Sequence, residues 1–164
     1  MAARKQRSFA LEKGRIGLIS DTHGLVRPEA LAALKGVELI VHAGDIGKPE
    51  VLNSLQAIAP LAAIKGNNDT APWARHIPEI LDLHVKDKTL RVIHNVRDSE
   101  SNLRAAGIDV VISGHSHKPS VQTRDNVLFV NPGSAGPRRF KLPVTVGLLL
   151  LQNADAHAEI IHLL

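Results

Sequence analysis

The stretch Ser113-Gly114-His115-Ser116-His117-Lys118-Pro119 constrains the fold more than any other. Two imidazoles, two residues apart, follow the apolar run Val110-Val111-Ile112 directly, with a glycine before them and a proline after. A short apolar run bounded by turn residues reads as a buried strand. That strand ends in a tight loop offering two nitrogen donors, and histidine is the commonest metal-binding side chain. Such a pair needs further ligands from elsewhere. The same arrangement recurs upstream. Arg15–Ser20 runs into Asp21-Thr22-His23-Gly24, Val37–His42 into Ala43-Gly44-Asp45, and Leu61–Lys65 into Gly66-Asn67-Asn68-Asp69.

Helical segments separate these strands. Pro28 stands where a first helical turn tolerates it, Glu29–Lys35 is helical by propensity, and Gly36 can cap it. Pro49–Ala57 reads as a second helix. Alternation of strand, loop and helix argues for a parallel α/β opening. The middle changes character. Thr70–Pro78, with two prolines and the only tryptophan, reads as a loop. Ile80–Val85 and Thr89–His94 flank a hairpin turn at Lys86-Asp87-Lys88, and Asp98 or Ser99 can cap a helix through Ala106. Hairpin patterns dominate the last third. Ser120–Arg124 and Val127–Asn131 surround Asp125-Asn126, and Val144–Leu151 and Ala158–Leu164 pair across Asn153–Asp155. A parallel start and a hairpin-rich end seldom share one flat sheet, so the expectation is a mixed α/β fold with two sheets. Nothing divides the chain, and residues 1–164 read as one domain. Residues 1–14 are expected to be a flexible basic tail, since Arg4, Lys5, Arg7 and Lys13 carry much of the net charge of +4. That tail reads as solvated rather than as a nucleic-acid arm.

Aromatic residues are only 2% of the chain, so Leu, Ile, Val and Ala must fill the core. The same scarcity argues against stacking platforms for single-stranded nucleic acid. Cysteine is absent, which excludes disulfides and thiolate metal sites. There is no 18-residue apolar run to span a membrane and no apolar segment of a secretory signal, so a cytoplasmic location is the default expectation.

The chemistry-bearing residues share one kind of place. Asp21, His23, Asp45, Asn67, His94, His115 and His117 each lie just past the C-terminal end of an expected strand, the edge at which open α/β sheets bind ligands. Seven donors are too many for one tetrahedral ion and suit two ions sharing a carboxylate. Imidazole, carboxylate and amide oxygen without sulfur fit borderline or hard first-row ions such as manganese, iron, nickel, cobalt or zinc, and manganese is the leading expectation. Magnesium prefers all-oxygen shells. Two divalent ions less the two aspartates leave a pocket of about +2, suited to hydroxide and a phosphate ester. A hydroxide held between ions roughly 3.5–4 Å apart can attack phosphorus in line. No Ser or Cys nucleophile is then required, and the chain offers no convincing triad.

The ordered series Asp21-x-His23, Gly44-Asp45, Gly66-Asn67-x-Asp69, His94 and Gly114-His115-x-His117 resembles the calcineurin-like metallophosphoesterase superfamily. The short length and Asn131-Pro-Gly-Ser134 resemble its small microbial phosphodiesterase branch. The resemblance spans about residues 15–164. It implies a four-layer α/β/β/α sandwich with two mixed β-sheets and a two-metal phosphoesterase site. Asp21, His23, Asp45 and His117 would hold the first ion; Asp45 would bridge; Asn67, His94 and His115 would complete the second. Asp45, Asn67 and His115 would be the catalytic set. The branch also implies a homodimer or homotetramer.

Two positions depart from the pattern. Asn68 stands where many relatives carry His or Cys, and Asn95 where glycine usually follows the fourth-motif histidine. Asparagine can donate a hydrogen bond but cannot act as a general acid near neutral pH. His76, from the loop after Asn67, is the candidate replacement donor. Asp69 reads as an orienting residue and His42 as structural. Arg138, with Arg139, could clamp a phosphate near the Asn131–Ser134 loop. The leading expectation is a metal-dependent phosphodiesterase acting on a small phosphodiester. The alternatives are a non-catalytic scaffold on the same fold, as in the superfamily's retromer subunit, and a nuclease, for which the basic balance speaks but no DNA-binding motif does.

Overall fold

The computed structural model describes residues 3–164. Among the described residues eleven strands and two α-helices follow one another: β1 (Arg4–Phe9), β2 (Arg15–Ile19), α1 (Pro28–Ala33), β3 (Leu39–His42), α2 (Pro49–Gln56), β4 (Leu61–Ala63), β5 (Ile80–Val85), β6 (Lys88–Ile93), β7 (Val110–Ile112), β8 (Ser120–Arg124), β9 (Val127–Asn131), β10 (Thr145–Gln152) and β11 (Asp155–His162). They form a five-stranded sheet in the order β11-β10-β2-β3-β4 and a six-stranded sheet in the order β1-β5-β6-β7-β9-β8. Both are mixed. In the first, β2, β3 and β4 run parallel and β10 runs against β2 and β11. In the second, β6, β7 and β9 run parallel, flanked by antiparallel β5 and β8.

Side chains alternate across a strand, and the alternation builds the layers. Ile16 and Leu18 of β2 face the other sheet, meeting Leu81, Leu83, Leu90, Val92, Val110 and Ile112 in the inter-sheet core. Ile19 of β2 and Ile40 of β3 face outward, under Ala30 of α1, Leu34 at its C-terminal cap, and Val51 and Leu55 of α2. Both faces of β2 and β3 are therefore covered, which is why Ile16–Ile19 and Leu39–Val41 are apolar without a break. Both helices begin with proline at the first turn, as their sequences require. The expected hairpins stand at β5–β6, β8–β9 and β10–β11. At Asp125-Asn126 both turn residues have positive φ, 50° and 63°, the conformation a two-residue hairpin needs.

Two expectations fail. Residues 4–9 are not a flexible tail: they form β1, paired in parallel with β5 at the edge of the six-stranded sheet. Phe9 packs on the inter-sheet core, and Arg7 Nη1 donates to Leu61 O at 3.1 Å, tying the edges of the two sheets together. The connection to β2 is held by Glu38, whose carboxylate accepts the N–H groups of Glu12, Lys13 and Arg15. A polar, charged edge strand carries no periodic signal of its own; its partner makes it a strand. The helix expected over 98–106 is also absent. A single 3-10 turn at Val96–Asp98 is followed by irregular turns through Gly107. Ser99 Oγ donates to Val96 O at 2.6 Å, a local bond that competes with helix propagation. Leu103 and Ile108 pack on Ile93, Val111 and Val127, so this outer layer exists but is not helical.

Candidate metal centre

The C-terminal ends of β2, β3, β4, β6 and β7 meet along one rim of the sandwich, and the sequence motifs follow those ends. The loops there are strained. Asp21, His23, Asp45, His115 and His117 all have positive φ, between 46° and 70°. Each such residue costs on the order of 1–3 kcal/mol and persists only where surrounding structure enforces it. The motif glycines permit the approach. A Cβ on Gly114 would strike Ser20 Oγ and Asp21 Oδ2, and one on Gly66 would strike the Asp45 carboxylate.

Two buried carboxylates stand at the middle. Asp21 Oδ1 lies 3.3 Å from His117 Nε2 and 3.9 Å from both His23 Nε2 and His94 Nε2. Asp45 Oδ2 lies 3.3 Å from His94 Nε2 and 3.9 Å from His23 Nε2. Asp21, His23 and His117 form one compact triad of donors, and Asp21, Asp45 and His94 another. The ring of His115 stands edge-on to that of His94, centroids 5.2 Å apart, and Asn67 lines a cavity with both.

The donors fit a cation. His94 Nδ1 lies 2.7 Å from Ala43 O, and since a carbonyl only accepts, Nδ1 carries the proton. The lone pair of Nε2 is then turned toward two carboxylates and has no hydrogen-bond partner, nor has buried Asp21 Oδ1. Electron-rich atoms converge like this at low cost only around positive charge. Asp45 and His94 titrate in keeping with this, and His117 in the opposite direction. Burial alone would raise the Asp45 carboxyl, but His94 and the Asn68 N–H outweigh it and hold it down to about 2. Burial would lower His94, but Asp45, Ala43 O and Asp21 raise it instead. His117 is lowered, first by burial and also by the charge of Arg139.

The supporting shell contains residues the sequence reading missed or left without a role. Ser20 Oγ and the His115 N–H both donate to Asp21 Oδ2, at 2.7 and 3.1 Å, which fixes Oδ1 toward the histidines. Ser134 Oγ donates to Asp21 O, and Asn131 Nδ2 donates to Gly114 O, so the Asn131–Ser134 loop clamps both neighbouring loops. No charge or periodicity marks Ser20. Asp69 accepts from the N–H groups of Ile46, Gly47 and Gly66 and binds the loops after β3 and β4 to each other. His42, wholly buried, accepts from Gly44 N at Nδ1 and so donates from Nε2 to Thr22 Oγ1; burial lowers its pKa to about 3. Asn68 donates twice to Asp45, from its backbone N to Oδ1 at 3.0 Å and from Nδ2 to Oδ2 at 3.1 Å.

One expected contributor is not brought to the rim, and another is engaged within its own loop. His76 is exposed and lines a cavity at the β1–β4 edge with Lys5, Arg7 and Leu61. It cannot replace the missing donor at Asn68 from there. Arg138 Nε is engaged with Leu142 O of its own loop, and its neighbour Arg139 is the one whose charge reaches His117.

A family model for the calcineurin-like phosphoesterase superfamily domain matches residues 15–154. The chain belongs to this superfamily. A curated relative from Methanothermobacter thermautotrophicus, named a probable metallophosphoesterase, is 35% identical over 158 residues, covering 89% of this chain and 91% of its own. An archaeal phosphodiesterase of known structure superposes with a TM-score of 0.74 at 25% identity, covering 90% of this chain and 99% of that one. The vacuolar protein sorting 29 of Cryptosporidium parvum shares the fold, with a TM-score of 0.72 at 18% identity over 92% of this chain and 97% of that one. As a member of the superfamily the chain is a metal-dependent phosphoesterase, and divalent ions are its expected cofactor. The two mixed sheets are those of its structural neighbours.

Proposed function

We propose that this phosphoesterase is a dinuclear phosphodiesterase that prefers manganese. In this reading Asp21, His23, Asp45 and His117 hold one ion, and Asp45, Asn67, His94 and His115 the other. The observation that carries it is that Asp45 Oδ2, like Asp21 Oδ1, lies within 3.9 Å of both His23 and His94, one histidine from each proposed set. Two divalent ions bound there would lower the pKa of water towards ~7 and offset the charge on the phosphoryl oxygens.

The chain's own residues do the rest. Ser20 and the His115 N–H orient Asp21, and Asn68 orients Asp45, so both carboxylates are fixed before substrate arrives. His94 keeps its proton on Nδ1, against Ala43 O, and leaves Nε2 free to ligate. Asn68 supplies N–H donors but no acid, and His76 lies elsewhere, so substrates with good leaving groups are favoured.

A matrix of metals against bis(p-nitrophenyl) phosphate and p-nitrophenyl phosphate tests this, with metal content measured on the same samples. The expected result is two ions per chain, faster turnover of the diester, and loss of activity with chelator. Asp45→Ala should reduce turnover by at least ~100-fold. One ion per chain, or activity retained in both Asp45→Ala and Asn67→Ala, would overturn the dinuclear assignment. Two ions with no turnover of any ester would favour a scaffold instead.

A further inference from the structure

A cavity of about 410 Å³ opens beside the candidate centre, on the outer face of the six-stranded sheet. Asn95, Arg97, His115, Gln122, Arg124 and Phe129 line it. It shares Asn95 and His115 with a second cavity of about 470 Å³, which lies on the Asn67 side. Two chambers thus meet at the rim where a phosphodiester would lie, one for each ester arm. Their charges differ. The second holds Lys65 with Glu79 and Asp98. The first holds two guanidiniums and, among the described residues, no carboxylate.

Those arginines are uncommitted. Arg4, Arg91 and Arg104 are spent on acidic partners. Among the described residues neither Arg97 nor Arg124 forms a salt bridge, although each has an aspartate next to it in sequence. Asp98 lines the second cavity; Asp125 and Glu100 line a neighbouring depression that Arg97 and Arg124 also border, without a salt bridge to either arginine. Arg124, exposed on β8, also has an aromatic support. Its guanidinium lies over the Phe129 ring, 4.3 Å from the centroid, because β8 pairs against β9 with Gln122 opposite Phe129. A stacked guanidinium keeps its in-plane N–H donors free for an anion.

We propose that this cavity seats a phosphate on one arm of the substrate, so that the natural substrate is a phosphodiester bearing a further phosphate. The proposal rests on the phosphodiesterase reading and narrows it. Two planar donor groups with no internal counter-charge match three phosphate oxygens better than they match a neutral arm. The volume lies within the range of small-molecule sites.

The test has two parts. In the first, chelator-stripped protein is titrated by calorimetry with thymidine 5′-monophosphate and with thymidine. Without ions the carboxylates of the centre repel phosphate, so the titration reads the arginines. The nucleotide should bind and thymidine should bind at least about tenfold more weakly. Arg97→Gln and Arg124→Gln should each weaken the nucleotide about tenfold, the loss of one charge-assisted hydrogen bond. Lys86→Gln, in the β5–β6 turn, serves as a control for net charge. Unchanged affinity in both arginine variants, or an equal loss in the lysine variant, would overturn the proposal. In the second part, metal-loaded protein is given thymidylyl-(3′→5′)-thymidine with and without a 5′-terminal phosphate. The phosphorylated dinucleotide should be preferred about tenfold in kcat/KM, and the ratio should collapse towards one in each arginine variant. A ratio near one in the parent protein counts against the site. Hydrolysis of neither would sink the phosphodiesterase reading, and the calorimetry alone would then uphold or overturn the anion site.

Discussion

Asn68 shows how one substitution reassigns a side chain. Where an imidazole could move a proton, this chain has an amide that holds Asp45 by two hydrogen bonds. Asn68→Ala removes the side-chain bond and frees Oδ2. Metal affinity should fall by roughly 10–100-fold, measurable by titration of metal-free protein. His42 makes a second prediction at this scale. It is neutral in the fold because burial lowers its pKa from 6.5 to about 3. Between those values the unfolded chain binds a proton that the folded chain refuses, so stability is full above pH 6.5 and falls as pH drops towards 3. Urea unfolding at pH 7.5 and pH 5 should show a smaller loss for His42→Asn than for the parent.

At the scale of elements, the β5–β6 hairpin is the segment that ties the late site to the early one, because β6 delivers His94. Its outer face contains a cross-strand ion pair, Arg91 Nε to Asp82 Oδ1 at 2.8 Å and Nη2 to Oδ2 at 2.9 Å. Arg4 of β1 adds a longer contact to Asp82 at 3.3 Å. Arg91 is only 2% exposed, and without Asp82 it keeps just Glu100, at 3.5 Å. Asp82→Ala should therefore destabilise the protein by about 3–5 kcal/mol in equilibrium unfolding, with Arg91 left as a buried charge. The hairpin was legible in advance because its apolar alternation and polar turn are local. β1 was not, because a charged edge strand is defined by the edge it joins. The segment after Val96 looked helical from a capping residue and a terminal glycine, yet it buries too little apolar surface to sustain a helix.

Across the whole molecule, two sheets converge on one rim and crowd Asp21, Asp45 and three histidines there. In the absence of ions the strained backbone and the unpartnered buried Asp21 Oδ1 and His94 Nε2 oppose folding. A cation that binds only the folded chain partners those atoms and stabilises by mass action, about 2.7 kcal/mol at a hundredfold excess over Kd. Thermal unfolding should shift upward with added manganese and downward with chelator. An unchanged Tm across both would mean that the rim holds no ion.

The sequence by itself determined which residues could ligate and that each would follow a strand, since apolar runs, glycines and histidines are local features that act at short range. It determined the helix starts at Pro28 and Pro49 and the hairpin at Asp125-Asn126 for the same reason. Tertiary structure alone decided that Ser20 and Asn68 orient the two carboxylates, that His76 lies away from the rim, and that Arg97 and Arg124 share a cavity without an acid. Those facts depend on which strands pair and which strand ends lie side by side, and that order is fixed by pairing and packing across the molecule rather than by any stretch of the chain.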